Sequence, residues 1–405
     1  MEPTYLYSTL PNGMRVVVAH RPEAEVDHCG VAVNAGSRDE EPWQYGLAHF
    51  VEHTIFKGTG RRRSWHILNR MEAVGGELNA YTTKEETMLY TTFPSGNLAR
   101  ALDLVADLVT DSRFPAPELA KERGVVEDEI DTYLDIPSEG IYDDFDELIF
   151  RGSQLAHPIL GTRETITGFD TEACRGWLDR FYVPANMVLF YSGCMSPERF
   201  LKMAERCFVP LTRTADRNRR IAPKQLPPFD ETKRIDSHQA HNLLGCTIPG
   251  LHSDDRYAIA LLTNILGGPG MNSLLNVALR EKRGLVYSVD ASTALMTDCG
   301  LLTVYYGCDP EDAGRCTRLI LNTIDSMAQR RLTARQLEAA KRQYLGQMTI
   351  GSVNSEQMAL GMARSTLLMG CVRPRAEINE AIRAVTADRI MEIASGLRMS
   401  RLTLL

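Results

Sequence analysis

Apolar positions along this 405-residue chain change period twice, in the same order each time. Strand-like runs at 14–19 and 29–35 lead into an apolar, helix-prone stretch around residues 47–56. Two more strand-like runs follow at 78–82 and 87–93, then helical patterns over 96–110 and 117–134. The second half repeats the order: a strand over 242–248, a helix after Ser253, strands over 286–295 and 301–307, and helices over 310–329 and 334–348. A repeat of this size predicts one domain per half. Ahead of the first strands, Pro11-Asn12-Gly13 supplies an Asn-Gly pair, a hairpin signal because both residues tolerate positive φ. Strands grouped before and between helices, without strict alternation, predict α+β domains, each a mainly antiparallel sheet with helices packed on one face. A stretch rich in Arg and Pro divides the halves, giving a first domain over 1–212, an exposed linker over 213–228 and a second domain over 229–405.

Composition narrows the possibilities without choosing among them. A hydrophobic content of 44% over 405 residues is enough for two or more cores. The formal net charge of −7 argues against a nucleic-acid surface, which would need a clustered basic face. The short runs Arg61-Arg62-Arg63 and Arg217 to Arg220 read as solvated loop charges. Nine cysteines without a C-x-x-C pair fit a reducing compartment. The opening residues Met1 to Tyr5 lack a basic start and an apolar core, and no run of about 18 uncharged apolar residues occurs. The expectation is a cytoplasmic protein without a membrane span, or a periplasmic or organellar one if a leader has been removed.

Chemistry enters at His49-Phe50-Val51-Glu52-His53. On a helix, positions i and i+4 project from one face, so His49 and His53 can present two imidazole nitrogens to one metal ion. Glu52 lies on the same side, three residues from His49, and its carboxylate can reach a water on that metal without being a ligand. The competing reading is two core histidines beside a salt-bridging Glu. A catalytic zinc normally takes three protein ligands plus water, so a third donor is required. The best candidates lie in the helical segment from Glu122 to Asp131. There Glu122 and Glu129 share a face because seven residues make almost two turns. A buried carboxylate pair needs positive charge nearby, which a zinc on two neutral imidazoles supplies. Glu127, Asp128 and Asp131 fit a solvated acidic surface.

With these residues in view, His49-x-x-Glu52-His53 followed 76 positions after His53 by Glu129, in a Glu-Arg-x-Val-Val-x-x-Glu segment, resembles the inverted-motif zinc peptidases. That family includes pitrilysin, insulin-degrading enzyme and the mitochondrial processing peptidase. The resemblance implies one Zn2+ per chain on His49, His53 and Glu129, with Glu52 as general base and Glu122 supporting the site. Residues 75–82 resemble the family's strand beside the metal, which implies that Asn79, Ala80 and Tyr81 pair with extended substrate. Residues 279–288 look like its second-domain segment, where Arg280 and Tyr287 hold the substrate carbonyl and stabilise the oxyanion. Preceding them, Gly267 to Asn272 invites a phosphate-loop reading, but no Gly-Lys-Ser/Thr follows, and a substrate-side loop is expected instead.

Taken with the intact His49, Glu52, His53 and Glu129 set, the resemblance implies a zinc metalloendopeptidase. Its substrates would be peptides or unfolded, presequence-like polypeptides. The second half lacks an H-x-x-E-H counterpart and is expected to be metal-free. Half-length relatives pair, so a homodimer or a heterodimer with an inactive paralogue is expected, without nucleic acid or membrane partners. Two rivals stand beside this reading: a catalytically silent scaffold or partner subunit, and a binding protein that uses zinc structurally. A structural zinc would favour a fourth protein ligand.

Overall fold

The computed structural model describes residues 4–214 and 218–405; the start of the chain, part of the 213–228 stretch and Arg217 lie outside the described residues. Two compact units emerge. The first comprises residues 1–131, 157–220 and 352–373, and the second comprises 132–156, 221–351 and 374–405. No single cut through the chain separates them, because one segment of each half packs with the other half's unit.

In the first unit, β1 (Tyr5–Thr9), β2 (Arg15–His20), β3 (Val26–Val33), β4 (Glu77–Thr82), β5 (Thr87–Pro94) and β6 (Met187–Gly193) form one sheet in the order β1-β2-β6-β3-β5-β4. Every pairing is antiparallel except β2 with β6. Thr9 pairs with Arg15 at the end of the β1–β2 hairpin, and Gly13 has φ +90° in the turn between them. In the second unit, β7 (Asp230–Lys233), β8 (Ala240–Ile248), β9 (Val286–Leu295), β10 (Gly300–Cys308) and β11 (Ser400–Leu404) run in the order β7-β11-β8-β10-β9, with only β7 and β11 parallel. Removing β1 makes the two sheets identical in order and direction, so the repeat in the hydrophobic pattern is a repeat of topology.

Strand side chains alternate between faces, and both faces of each sheet are apolar. On one face of the first sheet, Val16, Val18, Val31 and Leu189 pack with residues of six helices: Leu47–Thr54, Ser64–Glu72, Leu98–Asp111, Ala116–Leu134, Thr171–Phe181 and Pro197–Phe208. The other face, with Val17, Ala32, Val188 and Phe190, is covered by a single helix, Ser355–Met369, through Leu360, Met362, Ala363 and Leu367. The second sheet follows suit. Leu244, Cys246, Leu302 and Val304 face helices that include Arg256–Gly267, Ala313–Gln329 and Ala387–Gly396. Its opposite face, with Leu243, Leu301, Leu402 and Leu404, meets Ile141, Phe145 and Ile149 of the helix Pro137–Ile149. In each half the helix that crosses units is the third one after the strand pair, so the exchange is reciprocal.

Within the basic runs, Arg61, Arg62 and Arg220 are ion-paired rather than free solvated charges. Arg61 and Arg62 bind Asp103 and Asp107, and Asp107 is buried among them. Arg220 pairs with buried Asp39 at 2.7 Å. All nine cysteines are free thiols. Among the described residues no helix is long and apolar enough to cross a membrane.

Candidate functional site

The helix Leu47–Thr54 starts at Gly46, whose φ of +95° is one that side chains rarely adopt. A Cβ there would stand 2.5 Å from the Leu160 carbonyl oxygen and 2.9 Å from Gly161 Cα, so only glycine lets the two loops approach. Buried Glu40 accepts the backbone N–H groups of Gly46 and Ala48 at 2.9 and 2.7 Å, satisfying donors that the helix cannot pair internally. His157 Nε2 stands 3.1 Å from Glu40 and its ring stacks on Tyr45 at 3.7 Å. The start of the motif helix is therefore set by buried polar contacts as well as by apolar packing. Gly46→Ala is expected to cost roughly 2–3 kcal/mol, from strain and overpacking, and to lower the thermal midpoint. An unchanged melting curve would show that the 46–160 approach is loose.

On that helix His49 is buried and His53 is half-buried, as is Glu129 on the helix Ala116–Leu134. One ligand atom from each lies within 4.8 Å of the other two. Glu129 Oε2 is 3.7 Å from His49 Nε2 and 3.4 Å from His53 Nε2. Both distances exceed the 2.7–3.2 Å of a good hydrogen bond. They match instead the separation of about 3.4 Å between donors placed about 2.0–2.1 Å from one tetrahedral zinc. The donor set of two imidazoles and one carboxylate suits that ion. Side-chain exposures of 9, 22 and 35% for His49, His53 and Glu129 leave one side sealed and the other open to a fourth ligand.

Behind this set, His53 Nδ1 donates to Glu122 Oε1 at 3.1 Å, which leaves the Nε2 lone pair facing Glu129. Lys57 Nζ holds the other Glu122 oxygen at 2.6 Å. Lys57 was missed in the sequence. The only available signal was its position one helical turn after His53, where it reads equally well as a surface cation.

Burial and the neighbouring His53 push the His49 pKa down to about 4, with Glu129 acting against them, so His49 is held neutral, the form that ligates metal. Burial works against the cationic form of His53, but Glu129, Glu122 and Glu52 outweigh it and raise the pKa. Glu129 is held below the usual carboxylate range, chiefly by His53. Glu52 moves the other way: burial raises its pKa, while Thr82 and His53 oppose the rise. A carboxylate poised upward, beside a cluster that favours a cation, is suited to accept a proton.

Asn79, Ala80 and Tyr81 occupy β4, in register with Tyr90, Leu89 and Met88 of β5. β4 ends the sheet, so its outer backbone groups have no strand partner among the described residues. Thr82 closes the same strand and faces Glu52, which puts the free edge beside the motif helix.

Arg280 and Tyr287 belong to the second unit. Arg280 is exposed in the short π-helical turn Asn276–Glu281, and Tyr287 is 61% exposed near the start of β9, donating its hydroxyl to Asp309 at 3.2 Å. The structure thus gathers His49, Glu52, His53, Glu122 and Glu129 in one unit and holds this pair in the other.

Comparison with known proteins agrees with the geometry. Residues 15–163 match the family described as insulinase (peptidase family M16), and residues 169–344 match the peptidase M16 inactive domain. The second match begins within the first half and runs through residue 344 of the half that lacks the motif. An uncharacterized zinc protease of Mycobacterium leprae is 33% identical over 97% of this chain and 89% of its own length. The uncharacterized zinc protease YmxG of Bacillus subtilis is 31% identical over 96% and 94%. Among solved structures, a protease from Helicobacter pylori aligns with a TM-score of 0.92 at 19% identity, over the full length of both chains. A two-sheet α+β fold, the His-His-Glu cluster and these relatives converge: the chain belongs to peptidase family M16.

Proposed function

We propose that the protein is a zinc-dependent endopeptidase. The observation that carries this reading is the convergence of His49, His53 and Glu129, open on one side, with Glu52 on the same helix. A zinc ion held there would act as a Lewis acid, polarising a peptide carbonyl and lowering the pKa of a bound water to about 7. Glu52 takes the proton from the attacking water and hands it to the leaving amine. Glu122, gripped by Lys57, keeps the His53 ring oriented. Extended substrate adds to the open edge of β4 at Asn79, Ala80 and Tyr81, where main-chain bonding favours peptides or unfolded, presequence-like polypeptides over folded proteins. By family resemblance, Arg280 and Tyr287 contact the substrate carbonyl, and the working form is a homodimer or a heterodimer with an inactive paralogue. Sedimentation velocity that shows only a monomer at assay concentration would remove the homodimer.

Full-chain protein loaded with zinc is expected to bind one ion per chain and to cleave a quenched fluorogenic peptide. Chelation should abolish cleavage and zinc should restore it. His49→Ala is expected to bind zinc at least about tenfold more weakly in a chelator competition. Stoichiometric zinc without cleavage of any peptide in a diverse library would favour a silent partner subunit. Undiminished zinc binding by His49→Ala would move the metal elsewhere.

A further inference from the structure

On the face of the first sheet that carries the motif helix, the helix Leu98–Asp111 packs on β3 and β5, and the helix Ser64–Glu72 packs on β4, the strand that ends the sheet. The shorter helix therefore has a neighbour on one flank and the free edge on the other. Its contacts assign its sides. Ile67 and Met71 are fully buried in the core. Arg70 turns to the neighbouring helix, pairing with Asp103 at 3.2 Å, and its carbonyl accepts Arg100 at 2.9 Å. At 100° per residue, Trp65 and Leu68 lie about 140° and 160° round the helix from Arg70. They face outward, over the open side of β4, where they are 67 and 46% exposed.

The pleat of β4 says what would meet them. Leu78 and Ala80 pack on the core beneath the helices, so Thr82 shares their side, and Thr82 is the residue that faces Glu52. A strand added about 4.8 Å outside β4 follows the same pleat, and its residues opposite Ala80 and Thr82 raise their side chains on that side. The helix doubles back along β4, since only residues 73–76 separate its end from the start of the strand. At 1.5 Å per helical residue, Leu68 stands about 6 Å and Trp65 about 10 Å back from Glu72. With about 3.3 Å per strand residue, that is level with Asn79 and Ala80. The side chain opposite Ala80 rises against Leu68 and Trp65, and Ala80 is too small to fill the space. Two residues along, the side chain opposite Thr82 lies beside Glu52.

We propose that Trp65 and Leu68 form an apolar subsite that selects substrates with a large apolar or aromatic side chain two residues from the one held beside Glu52. A single exposed Trp or Leu needs no explanation. Two of them on the flank turned to a free strand edge give an incoming side chain a surface to bury against. The inference rests on the substrate strand assigned to β4 under the proposed function, and adds the side-chain selection that main-chain pairing lacks.

Two ten-residue peptides test it, one of Ser and Ala alone and one with a single central Phe. Binding is measured by fluorescence anisotropy on the zinc-loaded, full-chain Glu52→Gln protein, so that it is read apart from cleavage. The Phe peptide is expected to bind about tenfold more tightly, the effect of burying one large apolar side chain. Trp65→Ala combined with Leu68→Ala, both exposed changes, should cut that advantage to about twofold or less. Leu68→Glu should turn the preference from Phe toward Lys. In the parent enzyme, the cut mapped by mass spectrometry should follow the Phe at fixed spacing, within about three strand residues, as the Phe is moved along the peptide. Equal affinity for the two peptides, or a Phe advantage unchanged in the double variant, would overturn the subsite. Phe-selective binding that the double variant loses, without cleavage by the parent, would uphold the subsite and remove the endopeptidase reading instead.

Discussion

Glu52→Gln is expected to lower peptide hydrolysis by about 10²- to 10⁴-fold, the range of general acid–base contributions, with one zinc still bound per chain. The replacement keeps size and hydrogen-bonding capacity but cannot accept a proton at neutral pH. Zinc should stay because the ligand set is His49, His53 and Glu129, and Glu52 is no part of it. Stability should hold or rise slightly, since a group whose pKa is raised by burial is one the fold would rather keep neutral. A single-turnover assay beside zinc analysis reads both effects. Undiminished turnover would take the proton-transfer role from Glu52, and loss of zinc would make it a ligand.

The second large effect concerns folding. Fragments 1–212 and 229–405, expressed separately, are each expected to lack cooperative melting. The first would lose the helix Ser355–Met369, which buries Leu360, Met362 and Leu367 against the rear of its sheet. At about 1.5–3 kcal/mol per large apolar side chain, exposing those three costs roughly 5–9 kcal/mol. That is comparable to the 5–15 kcal/mol that holds a typical protein folded. Polar anchors go with it. His28 and Ser355 lie 2.9 Å apart, Thr92 donates to Glu356 at 2.7 Å, Arg364 pairs with Glu86 at 2.9 Å, and Arg15 donates to the Thr366 carbonyl at 2.9 Å. The second fragment would lose Ile141, Phe145 and Ile149 from its own sheet. Near-ultraviolet circular dichroism should show both fragments without fixed packing and native signal returning when they are mixed with the missing segments. A sharp, independent melting transition in fragment 1–212 would mean that the exchanged helix is dispensable.

Much of the architecture was legible in the hydrophobic pattern. The strand at 286–295 and the start of the helix at 334 match to the residue, and most other edges fall within about three. Two central strands were missed. β6 is buried along its whole length and is a short, mostly apolar run without alternation, which in sequence cannot be told from buried helix; β11, nearly as buried, reads Ser-Arg-Leu-Thr-Leu, whose two apolar positions are too few to mark a strand. The reciprocal exchange of helices left no local signal either. Phe145 and Leu360 show only that their helices have an apolar face, not which sheet receives it.

The candidate site divides along the same line. His49, Glu52 and His53 are set by one helical turn, a local geometry that spacing reports directly. Glu129 lies 76 positions beyond His53, and the resemblance supplied it where periodicity could offer only a shared face with Glu122. Lys57 and the Glu40 contacts at Gly46 depend on which loops meet, and no spacing records that.

Crystals of the zinc-loaded protein, measured on both sides of the zinc absorption edge, test the central claim most directly. The account predicts one anomalous peak about 2.0–2.2 Å from His49 Nε2, His53 Nε2 and a Glu129 oxygen, with a non-protein atom in the fourth position. A peak elsewhere, or one closed by a fourth side chain, would contradict it.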